Sequence, residues 1–154
     1  MEIREARATD IDLLLHHRRE MFREMGYVDR RVLDECESVS REYFAEALRE
    51  GWFRAWLAET EEGLVAGGGG VLLAPWPGGT SGGPPRRAWI LNVYVEPAWR
   101  RRGIARGILL TAIQWCRAEG LPHVSLHASA EGRPLYESMG FRPTNEMRLY
   151  LEER

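Results

Sequence analysis

The sequence contains no lysine. All 21 basic residues are arginines, and 23 aspartates and glutamates bring the net charge of the 154-residue chain to −2. Without lysine, catalysis through a lysine Schiff base and phosphate binding by a Walker-type lysine are both excluded. A net charge this close to zero gives the whole chain no electrostatic attraction for nucleic acid or for an anionic membrane.

Cysteine and long apolar runs are also scarce. Cys36 and Cys116 are the only two cysteines and form no Cys-x-x-Cys pair, so we expect packed thiols instead of a disulfide or a metal site. No apolar run reaches the length of a membrane span, and Met1–Arg7 has no apolar signal region. The expectation is a soluble cytoplasmic protein without membrane attachment.

The length predicts one domain that spans residues 1–154, because no internal repeat and no dividing linker is visible. Apolar spacing predicts the element order βααββ-βαβαββ, which fits a mixed α/β sheet with helices on both faces. The last two strands are expected around Arg142 and from Arg148 to Leu151. The glycine run Gly67–Gly70 predicts a bulge or a close backbone approach within a strand.

The most informative stretch runs from Val93 to Leu110. A strand of β-branched and aromatic residues ends at Pro97, and after a short loop the apolar spacing becomes helical. The first turn of a helix has unpaired backbone N–H groups and a partial positive charge. Gly103 and Ala105 leave room for a phosphate, and four arginines add charge: Arg100, Arg101, Arg102 and Arg106. This stretch predicts a pyrophosphate cradle.

Two motifs resemble those of a known family. Arg100-x-x-Gly103-x-Ala105, preceded by Val95-x-Pro97, resembles the acetyl-CoA signature of the GNAT acetyltransferase superfamily, usually written Gln/Arg-x-x-Gly-x-Gly/Ala. Downstream, the stretches 126–129 and 132–141 look like the family's strand and its short helix, which carries a Tyr and ends in Gly-Phe. Because both motifs occur in order and at the expected distance, the resemblance is specific.

The resemblance implies a GNAT-like central sheet of six to seven strands, splayed between the fourth and fifth, with the pantetheine arm in the gap. It implies acetyl-CoA as co-substrate, no metal, and a primary amine of a small molecule or peptide as acceptor. Direct transfer in a ternary complex is expected, since no Cys or Ser stands in a nucleophile motif. A homodimer is the expected assembly. The alternative is a non-catalytic acyl-CoA-binding module. Nucleic-acid binding is not expected, because the net charge is negative and no aromatic residues are interleaved with the arginines.

The cofactor contacts implied by the resemblance are largely backbone contacts, made by an added-strand pairing and by the cradle amides. Ser129 stands where many family members have an Asn that contacts pantetheine, so that contact depends on its hydroxyl. The implied cofactor-binding residues are Val93, Tyr94, Val95, Arg100, Arg101, Arg102, Gly103, Ile104, Ala105, Arg106, Ser129 and Tyr136.

Catalysis requires an acid for the departing thiolate and a route for the proton of the amine. By its match to the family motif, Tyr136 is the acid. For the base, strand alternation predicts that Asn92, Tyr94 and Glu96 share one face, opposite Leu91, Val93 and Val95. Glu96 is the charged candidate for the base. The other candidate is a water molecule positioned by Asn92 or Tyr94. Because Trp89 and Leu91 are apolar where the best-known members carry a carboxylate, we expect a water chain.

Histidines are predicted to lie outside the chemistry. His16 and Glu20 have a spacing that suits a metal, but a polar helix face is usually solvated, so His16 and His17 are left out of the site. His127 is expected to make a structural hydrogen bond. Acceptor recognition is expected from parts outside the motifs: the turn 25–29, the Gly- and Pro-rich loop 75–87, and Thr144, Asn145 and Glu146.

Overall fold

The computed structural model describes residues 1–152. Over these residues the strands are β1 (Glu2–Glu5), β2 (Phe53–Glu59), β3 (Val65–Pro75), β4 (Arg86–Val95) and β5 (Val124–Leu126), and the helices are α1 (Ile11–Glu24), α2 (Arg30–Glu50), α3 (Ile104–Ala118) and α4 (Arg133–Ser138). Short 3-10 turns occupy Ala8–Asp10 and Pro97–Trp99. None of the helices in this part of the chain is long and apolar enough to cross a membrane. As far as α4, the element order is the predicted one.

The five strands form one sheet in the order β1-β2-β3-β4-β5. All neighbours are antiparallel except β4 and β5, which are parallel and pair only from Ala88 to Ile90. Because β4 continues to Val95, it runs on beyond its pairing with β5. Residues 91–95 therefore keep one backbone edge on β3 and leave the other edge open.

Helices cover both faces of this sheet. The apolar side of α3, which includes Ile104, Ile108 and Ala112, packs against β2, β3 and β4 on one face. On the other face, α1 and α2 enclose a second cluster, in which Phe44 stacks on Phe53 with ring centroids 4.7 Å apart. The mixed α/β architecture is thus confirmed.

The glycine run in β3 allows close packing and a bulge, as predicted. A Cβ at Gly70 would overlap the Phe53 ring, so no larger residue fits there. Gly68 pairs with Tyr94 while Gly70 pairs with Leu91, so Gly69 faces two residues of β4. This two-against-one arrangement is a β-bulge, and it bends β4 at Asn92 and Val93.

The two final strands are absent from the described part of the chain. Residues 141–152 form no strand, and most of the side chain is exposed at Met147, Leu149, Tyr150 and Leu151. The predicted count of six to seven strands is therefore wrong, and the sheet has five. An alternating pattern forms a strand only where it meets a sheet edge. Here the segment borders a cavity of about 1000 Å³ next to β5 and does not pair with it.

Candidate active site

The bulge in β4 places a buried asparagine beside α1. Asn92 adopts a φ of +63°, is 1% exposed, and donates from Nδ2 to the carbonyl oxygen of Leu14 at 3.0 Å. Leu91 packs in the cluster formed by α1 and α2, whereas Val93 and Val95 pack on the α3 side. The prediction that Leu91 shares a face with Val93 and Val95 is therefore wrong, because the bulge puts two consecutive residues on the same side.

Five polar or aromatic residues meet between α1 and the end of β4, and we call them the polar cluster: His16, His17, Asn92, Tyr94 and Glu96. Nε2 of His16 lies 2.7 Å from Oε1 of Glu96. The ring centroid of Tyr94 is 5.5 Å from that of His17 and 6.3 Å from that of His16. Asn92, Tyr94 and Glu96 thus lie on the α1 side of the sheet, as their predicted common face requires.

Charges of both signs surround Tyr94. Burial raises the pKa of Tyr94 and the carboxylates of Glu96, Glu24 and Glu20 raise it further, whereas the Arg100 guanidinium over the ring lowers it. The phenol therefore remains protonated at neutral pH. Each of these carboxylates pairs with a basic side chain: Glu96 with His16, Glu24 with Arg100 and Glu20 with Arg23.

The sequence interpretation left both histidines of the polar cluster, His16 and His17, out of the site, and His17 is the buried one. Its side chain is 1% exposed, and neither ring nitrogen has a hydrogen-bond partner among residues 1–152. Burial, with the nearby charge of His16, lowers the pKa of His17 to about 4, so the ring is neutral at neutral pH. The prediction of a solvated helix face holds for the half-exposed His16 but not for the buried His17. The sequence did contain one sign that His17 is buried: it lies three residues after the apolar Leu14 and so on the same side of α1.

The predicted cradle lies directly after the polar cluster. Arg101 and Gly103 both have left-handed backbones, with φ of +62° and +78°, and α3 begins at Ile104. Gly107 donates to the carbonyl oxygen of Gly103 at 3.0 Å, while residues 104–106 donate to no main-chain acceptor within 1–152. A Cβ on Gly103 would meet no atom within 4 Å, so the turn opens to free space. Open N–H groups at the start of a helix have the chemistry that an anion requires.

The cradle arginines contact neighbouring protein groups. Arg100 donates from Nε to the carbonyl oxygen of Val95 at 2.8 Å and lies 2.6 Å from Glu24, which ties α1 to the end of β4. Arg102 lies over the Trp99 ring. Arg106 donates to Oγ of Ser138 at 2.8 Å and so links α3 to α4. These three arginines are thus engaged with protein groups, whereas the backbone N–H groups of residues 104–106 stay open within 1–152.

Tyr136 lies on α4 against the cluster that α3 covers. Its ring meets Phe141 edge to face at 5.8 Å, and burial raises the pKa of Tyr136, so the hydroxyl stays protonated. Oγ of Ser129 accepts a hydrogen bond from the backbone N–H of Gly132 at 3.1 Å, which fixes the approach to α4. Tyr136 lines the same cavity as Thr144 and Glu146, two residues expected to recognise the acceptor.

Two other candidate residues have structural partners. Asp29 accepts a hydrogen bond from the backbone N–H of Arg31 at 2.9 Å and caps α2. His127 stacks on Trp89 with centroids 5.3 Å apart and lies 3.4 Å from Oε1 of Glu146. Trp89 and His127 therefore form an aromatic pair next to the splay between β4 and β5.

Residues 13–141 match the family described as the acetyltransferase (GNAT) family. The chain belongs to the GNAT family. A GCN5-related N-acetyltransferase from Ralstonia eutropha JMP134 has a similar structure, with a TM-score of 0.90, 34% sequence identity and 97% of each chain covered. A predicted acetyltransferase from Clostridium acetobutylicum, solved with acetyl-CoA, gives a TM-score of 0.88 and 26% identity over 97% of this chain and 96% of that one.

Two human proteins are also related to this GNAT chain. N-acetyltransferase 8 is 28% identical over 123 residues, which cover 78% of this chain and 50% of that protein. N-acetyltransferase 8B is 27% identical with the same coverage. The chain thus spans about half the length of these two relatives. Residues 13–141 thus form an acetyltransferase domain of the GNAT family.

Proposed function

We propose that this protein transfers the acetyl group of acetyl-CoA directly to a primary amine of a small molecule or peptide, within a ternary complex. The observation that carries the proposal is the continuity between the open edge of β4, residues 91–95, and the open N–H groups of the cradle. An extended pantetheine arm can pair with the strand edge, and its pyrophosphate can then reach the start of α3. Val93, Tyr94 and Val95 supply the edge, and Gly103, Ile104 and Ala105 supply the turn.

In the proposed reaction, the amine nitrogen attacks the thioester carbonyl carbon, the C–S bond breaks, and the electron pair leaves on sulfur. The Tyr136 hydroxyl contacts the sulfur of the departing CoA thiolate. Because the phenol has an ordinary pKa of about 10 and the thiol one of about 8.5, full proton transfer to sulfur costs about 2 kcal/mol. Burial raises the pKa of Tyr136 further, so its main role is a hydrogen bond that stabilises the developing thiolate.

The amine must lose its proton before it attacks. An alkyl ammonium has a pKa near 10.4, so only about one molecule in 2,500 is nucleophilic at pH 7, a deficit of about 4.6 kcal/mol. We assign the route for this proton to the polar cluster. Glu96 is its charged member, and the contact with the half-exposed His16 ring connects it to solvent. Asn92 lies at the start of this route, on the bulge.

The cysteines support direct transfer over an acetyl-enzyme intermediate. Cys116 is buried in the cluster beneath α3, and burial raises the pKa of its thiol to about 11. A thiol that stays protonated is a poor nucleophile. Cys36 lies on α2, on the opposite face of the sheet from α3.

Release of free CoA thiol from acetyl-CoA, measured across a panel of primary amines and amino-terminal peptides, tests this proposal. We expect acceptor-dependent thiol release, with initial rates that depend on both substrates as a ternary complex requires. A protein that binds acetyl-CoA but acetylates no amine in the panel would instead be an acyl-CoA-binding module. Trp89 and Leu91, apolar where a carboxylate base is often found, are the feature that favours this second reading.

A further inference from the structure

Three unpartnered polar atoms are buried next to the bulge. Among residues 1–152, the buried side-chain nitrogen and oxygen atoms without a hydrogen-bond partner are Nδ1 and Nε2 of His17, Oδ1 of Asn92, and Nε of Arg87. His17 and Asn92 are each 1% exposed. Leaving one such atom unsatisfied costs about 1–3 kcal/mol, so three atoms in two neighbouring residues call for a physical reason.

His17 and Asn92 occupy the same small region. Asn92 donates to the carbonyl oxygen of Leu14, and Leu14 and His17 are three residues apart on α1 and so lie on one side of the helix. Tyr94, the next residue on the same face of β4, contacts the His17 ring. Gly68 lies opposite Tyr94, and a Cβ there would be 3.1 Å from Nδ1 of His17. A Cβ there would also lie 2.8 Å from Cδ2 of Leu57, so glycine at position 68 is what lets the imidazole pack this close to β3.

This region adjoins the backbone that the proposed function gives to the acetyl thioester. Asn92 is the bulge residue, and the open edge of β4 runs through it. On the solvent side, the His16 ring lies 5.8 Å from the His17 ring and contacts Glu96. His17 therefore sits between the bulge and the only histidine–carboxylate pair of the polar cluster.

We propose that His17 and Asn92 hold a buried water that relays the proton of the attacking amine toward His16 and Glu96. The amine gives its proton to the water as the N–C bond forms, and the water gives one to the acceptor nitrogen of the neutral His17 ring. The opposite ring nitrogen, which has no protein partner among residues 1–152, gives its own proton to a second water on the side of the half-exposed His16 ring, and His17 ends in its other neutral tautomer. Proton exchange with these waters restores the first tautomer before the next turnover. Because the pKa of His17 is near 4, the ring does not trap the proton. The relay rests on the proposed acetyltransfer and makes His17 a positioning residue.

Replacement of His17 by Phe separates this relay from a packing role. Phe fills nearly the same space and removes both unpartnered nitrogens, so packing alone predicts a protein at least as stable and fully active. The relay predicts unchanged acetyl-CoA affinity with kcat lowered about 10- to 100-fold at pH 7. His17→Gln keeps one donor and one acceptor and should recover part of kcat. His123→Phe, at an exposed histidine, is the matched control.

The pH dependence of kcat gives a second test, because a change in packing alone would not alter it. As pH approaches the pKa of the amine, free amine forms in solution and the relay becomes unnecessary, so the kcat ratio of wild type to His17→Phe should shrink. The ionisable groups facing His17 are His16 on α1 and Tyr94 on β4; farther out, Glu20, Glu24, Glu96 and Arg100 surround Tyr94. These are the same in both proteins, so their titration cancels in the ratio. A ratio below two, or one constant with pH, overturns the relay.

A high-resolution crystal structure of the wild-type protein supplies a test that does not need turnover. We expect an ordered water within about 3.2 Å of a His17 ring nitrogen and of Oδ1 of Asn92. A dry site overturns the relay even if the enzyme is active and even if the His17 variants are too unstable to assay. A water in place with no acetylation of any amine overturns the proposed function, and the relay with it.

Discussion

Nδ2 of Asn92 donates a hydrogen bond of 3.0 Å to the carbonyl oxygen of Leu14, and this contact joins the bulge of β4 to α1. Two properties of Asn92 make the contact hold. Its amide provides the donor, and asparagine tolerates the left-handed backbone at φ +63° better than most residues. Asn92 therefore helps to hold the bulge, which the glycines of β3 allow, against α1.

Substitution of Asn92 should separate these two properties. Asn92→Gly loses the buried hydrogen bond but keeps the backbone, and we expect it to lower the free energy of unfolding by about 1 kcal/mol. Asn92→Ala also strains the backbone, so about 2 kcal/mol is expected. Denaturant unfolding measures both. Asn145→Ala, in the exposed segment, should stay within about 0.5 kcal/mol of wild type. Equal values for the Ala and Gly variants would contradict the role of the backbone.

Leucine at Gly103 should abolish acetyl-CoA binding without unfolding the protein. The added side chain projects into the open space of the cradle, where the pyrophosphate is expected, and we predict a loss of affinity of at least 100-fold. Gly51 is a matched control, because it also has a left-handed backbone, at φ +83°, with no atom within 4 Å of a built Cβ. Gly51→Leu should lose similar stability and keep its affinity by calorimetry. Retained affinity in Gly103→Leu would remove the cradle assignment.

Tyr136→Phe should preserve acetyl-CoA affinity and lower kcat by about 10- to 1,000-fold, since one group that stabilises the thiolate is lost. The ring packing against Phe141 stays in place, so stability should change little. Tyr43→Phe on α2 is the control for loss of a tyrosine hydroxyl. Steady-state kinetics with a fixed amine decides the question, and an unchanged kcat would exclude Tyr136 from the chemistry.

The buried His17 should make the protein less stable in mild acid. Its pKa is about 4 in the folded chain and about 6.5 when unfolded, so between these values the unfolded chain binds the extra proton. Stability is therefore lost as pH falls from 6.5 toward 4, by about 2 kcal/mol at pH 5. His17→Phe should lose about that much less than wild type between pH 8 and pH 5 in urea unfolding. Parallel pH profiles for the two proteins would contradict the buried, neutral state of His17.

The β4–α3 junction was predictable because its signals are local. Pro97 ends the strand, Gly103 allows the left-handed turn, and the apolar spacing from Ile104 defines the helix. Strand alternation likewise placed Asn92, Tyr94 and Glu96 on a common face. The same rule failed at Leu91, because a bulge depends on the partner strand: the glycines of β3 let two β4 residues face Gly69.

The other errors also come from tertiary context. His17 reads as a polar helix residue until the β4 bulge is placed beneath α1, and only then is its burial evident. At the C-terminal end, strands were predicted around Arg142 and from Arg148 to Leu151, but no strand forms there among residues 141–152, and the side chains of Leu149 and Leu151 are exposed. Strand formation requires an edge to pair with, and the sequence of the segment alone does not specify one.

Isothermal titration of the purified protein with acetyl-CoA and with CoA, with NAD as a control, tests the central claim most directly. The open edge of β4 and the cradle that follows it predict micromolar binding of both CoA forms at one site per chain. NAD also contains a pyrophosphate but has no pantetheine arm to pair with residues 91–95, so it should not bind. Absence of binding by either CoA form, or equal binding of NAD, would contradict the assignment of this junction as the cofactor site.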